Sequence, residues 1–150
     1  KEVLLDINNL YLKDYNILFK GKAKIDYFDE ELKYFGDIYY QDLIVSGNID
    51  ITKDRVNFFI KSEFFKNLHF LKKYLDLPEV ANSWMYDNVT GDFKLNWFYG
   101  EFDLNKNEII EKSLQGDAVI ENAKIRFENS LEEINTTKVN VNLTTLSGFL

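Results

Sequence analysis

The sequence contains no cysteine. That removes disulfides, thiolate zinc sites and cysteine nucleophiles together, and leaves the redox compartment open. Histidine occurs once, as His69 in Leu68-His69-Phe70, and proline once, as Pro78. A lone histidine there reads as a packed or hydrogen-bonded helix residue at the edge of a core rather than as a catalytic base. No phosphate-cradling Gly-rich loop, serine elbow or HExxH occurs. Asp29-Glu30-Glu31 lacks the spaced oxygen ligands of a calcium loop and reads as a solvated turn. No apolar run approaches the roughly 18 residues of a membrane span, and no signal peptide is recognisable. The expectation is a protein that is not an enzyme and carries neither cofactor nor metal.

What is present is apolar, aromatic and acidic. The 150 residues suit one domain, or one segment of a larger one, and 45% of them are hydrophobic. Aromatics reach 16%, mostly Phe and Tyr, which favour pleated, half-buried surfaces. A net charge of -7 and a pI near 4.8 argue against nucleic acid as a partner. The chain opens at Lys1 inside an alternating run and closes at Leu150 without a stop signal, so it is expected to be a piece of a longer protein.

Period-two alternation organises the first 62 residues. Val3 to Leu12 reads as a strand interrupted at Asn8-Asn9, as by a bulge. From Ile17 to Phe28 one side carries Ile17, Phe19, Ala23, Ile25 and Tyr27, the other Lys20, Lys22, Lys24 and Asp26. At roughly 3.3 Å per residue that strand would span about 40 Å, twice the usual length. Leu32–Tyr40, Leu43–Thr52 and Val56–Lys61 follow after short turns, which makes an antiparallel meander. Asp29–Glu31, Gln41-Asp42 and Lys53-Asp54 supply those turns.

The period then changes. Phe64, Leu68, Leu71 and Leu75 recur at helical spacing. Pro78 suits the first turn of a second short helix, with Glu79 at its positive end and Trp84 one turn on from Val80. Strands resume with Phe93–Trp97, Phe102–Leu104, Leu114–Phe127 and Val139–Leu143, and residues 129–137 read as a polar loop. Three blocks result: strands over 1–62, a helical insert over about 64–88, and strands over 91–145. The glycines Gly21, Gly36, Gly47, Gly91 and Gly116 sit in or beside strands, where they permit the kinks of a strongly curved sheet.

Two charged features have alternative readings. Lys20, Lys22 and Lys24 form a solvated strand face that discourages edge aggregation, or a face for an anionic surface or lipid headgroup. The stripe on Phe64–Leu75 caps a core, in preference to lying on a membrane.

The succession of three segments carries a resemblance. Pro78-Glu79-Val80-Ala81-Asn82-Ser83-Trp84-Met85 is followed by Phe93-Lys94-Leu95-Asn96-Trp97-Phe98-Tyr99-Gly100-Glu101-Phe102-Asp103-Leu104, and then by Leu114-Gln115-Gly116-Asp117-Ala118-Val119-Ile120-Glu121-Asn122-Ala123-Lys124-Ile125-Arg126-Phe127. It resembles the AsmA-like family of bacterial envelope proteins, especially the YhdP-type members, best over residues 64–130. The resemblance implies a mainly β fold: a long twisted antiparallel sheet curled into an open groove, with a short helical insert. It also implies a periplasmic location, an inner-membrane anchor in the parent chain, and phospholipid passing toward the outer membrane. On that reading the apolar side of the long strand is covered by acyl chains. The groove lining is then Ile17, Phe19, Ile25, Tyr27, Tyr34, Ile38, Val45, Ile49, Ile51, Phe58, Ile60, Phe93, Leu95, Trp97, Ile120 and Ile125.

Two other classes compete: a structural or interaction module closed as a β-sandwich, and a lipocalin-like carrier with the insert as a lid. The end strands are expected to leave pairing edges through which the chain self-associates. Glu133-Ile134-Asn135-Thr136-Thr137 fits an acidic-x-Asn-x-Ser/Thr acceptor, with Asn135 as the possible glycosylation site in the polar loop.

Overall fold

A computed structural model describes residues 1–69, 72, 79–127 and 131–144. The elements are β1 (Glu2–Leu12), β2 (Ile17–Asp26), β3 (Glu31–Tyr40), β4 (Leu43–Ile51), β5 (Arg55–Ser62), α1 (Glu79–Tyr86), β6 (Val89–Asp103), β7 (Glu108–Ile109), β8 (Gln115–Ile125) and β9 (Ile134–Thr144). They form one nine-stranded sheet in the order β1-β2-β3-β4-β5-β6-β8-β9, with the short β7 also on β6. Every pairing is antiparallel, and every step joins sequence neighbours except β6 to β8, which passes over the two-residue β7. The sheet is open: β1 and β9 each pair on one side only. The mainly β expectation is therefore met. A closed barrel of the lipocalin kind and a two-sheet sandwich within these residues are not what forms.

Local chemistry sets where the strands stop. The Asp26 carboxylate accepts the N–H groups of Phe28 (2.9 Å) and Asp29 (3.4 Å), an Asx turn that reverses the chain into β3. Glu30, at φ 52°, completes it. The strand expected to reach Phe28 thus ends at Asp26, and Tyr27 lies exposed in the turn. Asp103 repeats the device, accepting from Asn105 (2.9 Å) and Lys106 (3.0 Å), with Asn107 at φ 55°.

Three further expectations change. Phe93–Trp97 and Phe102–Leu104 are not separate strands, because β6 runs unbroken for 15 residues. The polar stretch before Val139 is already strand: β9 starts at Ile134, and Asn135 sits opposite Lys124 in the ladder rather than in a loop. No helix begins at Phe64. Phe65 instead makes an antiparallel bridge with Phe93, each N–H donating to the other's carbonyl at 2.8 Å. Leu71, Leu75 and Pro78 lie outside the described residues. The second short helix is present as α1, and the bulge at Asn8-Asn9 appears as a register shift between Ile7 and Leu10.

Packing is shallow. The buried apolar residues are Ala23, Tyr34, Val45, Phe65, Tyr86, Val119, Ile120 and Ala123, and none of the large side chains among the described residues is wholly enclosed. Substantial contacts run between hydrogen-bonded neighbours, with α1 against β6, so among the described residues no strand layer is stacked on another. The accessible surface is 10889 Å². A folded monomer of 17.7 kDa would expose roughly 7,900 Å². About 3,000 Å² more surface is open than one compact unit leaves.

Candidate functional site

Residues directly opposite in an antiparallel ladder share a face, so the register sorts every side chain. Phe19 faces Ile38, which faces Val45; Ile25 faces Leu32, which faces Ile51; Ala23, Tyr34, Ile49 and Phe58 form one cross-strand row. The row passes on through Gly100. Farther along, Phe93 faces Ile120, which faces Val139, and Leu95 faces Ala118, which faces Val141. One apolar face thus crosses the sheet from β1 to β9. Of the expected lining, Ile17, Phe19, Ile25, Ile38, Ile49, Ile51, Phe58, Ile60, Phe93, Leu95 and Ile125 lie on it half-buried, and Val45 and Ile120 lie on it buried. Phe58 and Phe98 stack on this face with centroids 5.9 Å apart.

Three members of the expected set stand elsewhere or are already engaged. Tyr27 is in a turn. Trp97 is on the opposite face. A register shift between Leu95 and Trp97 inserts one residue, so Trp97 faces Asp117 and stacks on Phe59 at 6.2 Å. Strict alternation from Phe93 had placed it with Leu95, and the bulge reverses that. Tyr34 is on the apolar face but only 6% exposed. Its hydroxyl lies 2.9 Å from the carbonyl of Lys20 and 2.8 Å from that of Asp37, and burial raises its pKa.

The reason Tyr34 reaches those carbonyls is a glycine row. Gly21, Gly36 and Gly47 face one another across β2, β3 and β4. A Cβ at Gly36 would overlap the Lys20 carbonyl oxygen and stand 2.7 Å from the Tyr34 hydroxyl. A Cβ at Gly21 or Gly47 would overlap the carbonyl oxygen of Phe35 or Phe59. Backbones approach along this line more closely than any side chain permits, and the Tyr34 ring covers the gap, edge-on to Phe19 at 5.5 Å.

On the other face the glycine row underlies an open depression of about 820 Å³. Its walls come from two cross-strand rows: Lys20, Asp37, Ser46 and Lys61, then Lys22, Phe35, Asn48 and Phe59. A smaller hollow of about 370 Å³ continues toward β1 and shares Lys22, Phe35 and Asn48. Lys24 and Lys33 stand directly opposite each other beside it, each neutralised within its own neighbourhood: Lys24 by Glu2 at 2.6 Å and Lys33 by Glu31 at 3.2 Å. The hydrogen bond Lys24 donates to Glu2 holds the lysine pKa above its ordinary value.

The insert is fastened at one end of the sheet. Asp92 on β6 accepts from Lys66 and, at 3.1 Å, from Asn122; the Lys66 bond leads in holding its carboxyl below the usual range. His69 Nε2 lies 3.0 Å from the Tyr86 carbonyl, which can only accept, so Nε2 carries the proton there. That is the structural role expected of it. Tyr86, not singled out by sequence, is the buried anchor of α1, whereas Trp84 lies edge-on to Phe127 at 5.2 Å and is 37% exposed.

Among the described residues no group of three or more His, Asp or Glu side chains converges as a metal site. No helix among them is long and apolar enough to cross a membrane. No family model, curated protein or solved structure matches the chain.

Proposed function

We propose that the chain is a segment of a periplasmic lipid-transfer groove, its apolar face sheltering phospholipid acyl chains between the inner and outer membranes. The observation that carries this reading is a single-layer sheet with one face apolar from β1 to β9, on which Leu5, Leu10 and Val141 stand exposed. An apolar face running across all the main strands calls for a cover, and each methylene sheltered there is worth roughly 0.8 kcal/mol. Acyl chains supply that without specific contacts, so transfer along the face requires no catalytic residue. The resemblance of residues 64–130 to AsmA-like proteins supports the same assignment, including the anchored parent chain and the curling of the sheet.

Native mass spectrometry of the gently purified protein tests it. Heterogeneous phospholipid adducts are expected, and Ile49→Asp should fold yet lose them, because acyl chains passing that point must desolvate the carboxylate. An Ile49→Asp chain that cannot fold means the face is closed core, and one that folds with its adducts unchanged means lipid does not travel there. The two open sheet edges favour a second reading, a structural module whose apolar face is covered by another protein layer. It predicts no adducts at all.

A further inference from the structure

The depression on the lysine-bearing face is not used by that function, and its chemistry is specific. Three amines, Lys20, Lys22 and Lys61, surround it against one carboxylate, Asp37, in a chain whose net charge is -7. Cations have been gathered here against the overall balance. Two of them lack ion-pair partners among the described residues: Lys20 and Lys61 form no salt bridge. Lys20 stands directly opposite Asp37, yet its amine lies 5.1 Å over the Tyr39 ring. Asp37 instead accepts the Ser46 hydroxyl at 2.7 Å. The third amine, Lys22, reaches Asp6 only at 4.0 Å, with both side chains about four-fifths exposed.

The depression also has an apolar half. Phe35 is 65% exposed and Phe59 41%, and both belong to the row Lys22–Phe35–Asn48–Phe59. Asn48 separates them, so at about 4.8 Å per strand the two rings flank a slot roughly 10 Å wide. Lys20 and Lys61 end the adjoining row, three strands or about 14 Å apart at the backbone. Flexible four-carbon stems let both amines close on one anion between them. The volume of about 820 Å³ is within the range of small-molecule sites. A solvated strand face explains lysines, but not two exposed phenylalanines set among them in one depression.

We infer that this depression binds a phosphate-bearing amphiphile, the phosphate on Lys20, Lys61 and Lys22 and the apolar body between Phe35 and Phe59. The site lies on the face opposite the proposed acyl-bearing one and stands or fails separately from it. The test is a titration of the ¹⁵N-labelled protein with three probes. These are short-chain phosphatidylglycerol below its critical micelle concentration, inorganic phosphate, and vesicles of long-chain phosphatidylglycerol. The monomeric lipid should shift the amides of Ser46 and Asn48 saturably. Lys20→Gln and Lys61→Gln, both at exposed positions, should each weaken it roughly five- to tenfold, the scale of one charge-assisted contact. Phe59→Leu should weaken the lipid and leave inorganic phosphate, a poorer ligand at the same amides, unaffected. Equal affinity for lipid and inorganic phosphate would remove the amphiphile from the proposal. Binding to vesicles alone would replace the site by a charged surface. Unchanged binding in both lysine variants, or shifts confined to the Ile49 face, would overturn it.

Discussion

Gly47→Ala adds one methyl group at the tightest place in the sheet. The new Cβ would overlap the Phe59 carbonyl oxygen and sit 2.9 Å from the Ile60 Cα, both of them backbone atoms of β5. A carbon-to-oxygen contact settles at roughly 3.3 Å, so β4 and β5 must part by about 1 Å or more. Ladder bonds stretched that far are lost, and two of them at about 0.5–1.5 kcal/mol each contribute about 1–3 kcal/mol. Residual crowding adds about 1–3 kcal/mol, while the lower chain entropy of alanine returns about 0.5–1 kcal/mol. The expected net loss is about 2–4 kcal/mol, a fall in Tm of roughly 5–15 °C for a chain of this length. Gly116→Ala is the control: its nearest neighbour is the Phe98 ring at 2.7 Å, a side chain that can rotate away, so about 1 kcal/mol is expected. Urea unfolding followed by far-UV circular dichroism measures both. If the two substitutions cost the same, or Gly47→Ala costs under about 1 kcal/mol, the close approach along the glycine row is not what shapes this sheet.

Other outcomes are expected from the same geometry. Asp92 has a depressed pKa, so its contribution is present above the unfolded-state value near 4 and is lost as the pH falls through the folded value. Asp92→Asn should therefore lower Tm at pH 7 and match the parent protein near pH 2; a difference of the same size at both would refute the linkage. The free edge of β1 carries Leu4 at 78% exposure, with Leu5 and Leu10 also exposed, so sedimentation should show concentration-dependent association. Leu5→Lys should suppress it, and a strictly monomeric parent protein at millimolar concentration would count against an adhesive edge. Phe59→Ala removes the ring stacked on Trp97 and should red-shift the tryptophan emission, which stays put if Trp97 faces the apolar side instead.

Alternation in the sequence determined the strands, their antiparallel succession and most of the apolar face, because a two-residue period admits one geometry. It assigned Ile25, Ile49, Phe58 and Leu95 to one side, and the register agrees. Where it failed, a single local event reset the period. The Asp26 carboxylate ended β2 two residues early, an extra residue before Trp97 turned that ring to the other face, and Phe65 paired with Phe93 instead of opening a helix. Asn135 joined β9 because ladder bonds to β8 outweigh the weak strand preference of a polar run. The sequence named the glycines but could not align them. Only register sets Gly21, Gly36 and Gly47 side by side, which brings the backbones together on one face and opens the lysine-walled depression on the other. Lys61 lies far from Lys20 along the chain, and three hydrogen-bonded ladders decide that they share a site. Cross-strand neighbours are a property of pairing, and pairing is fixed by the whole sheet rather than by any segment of it.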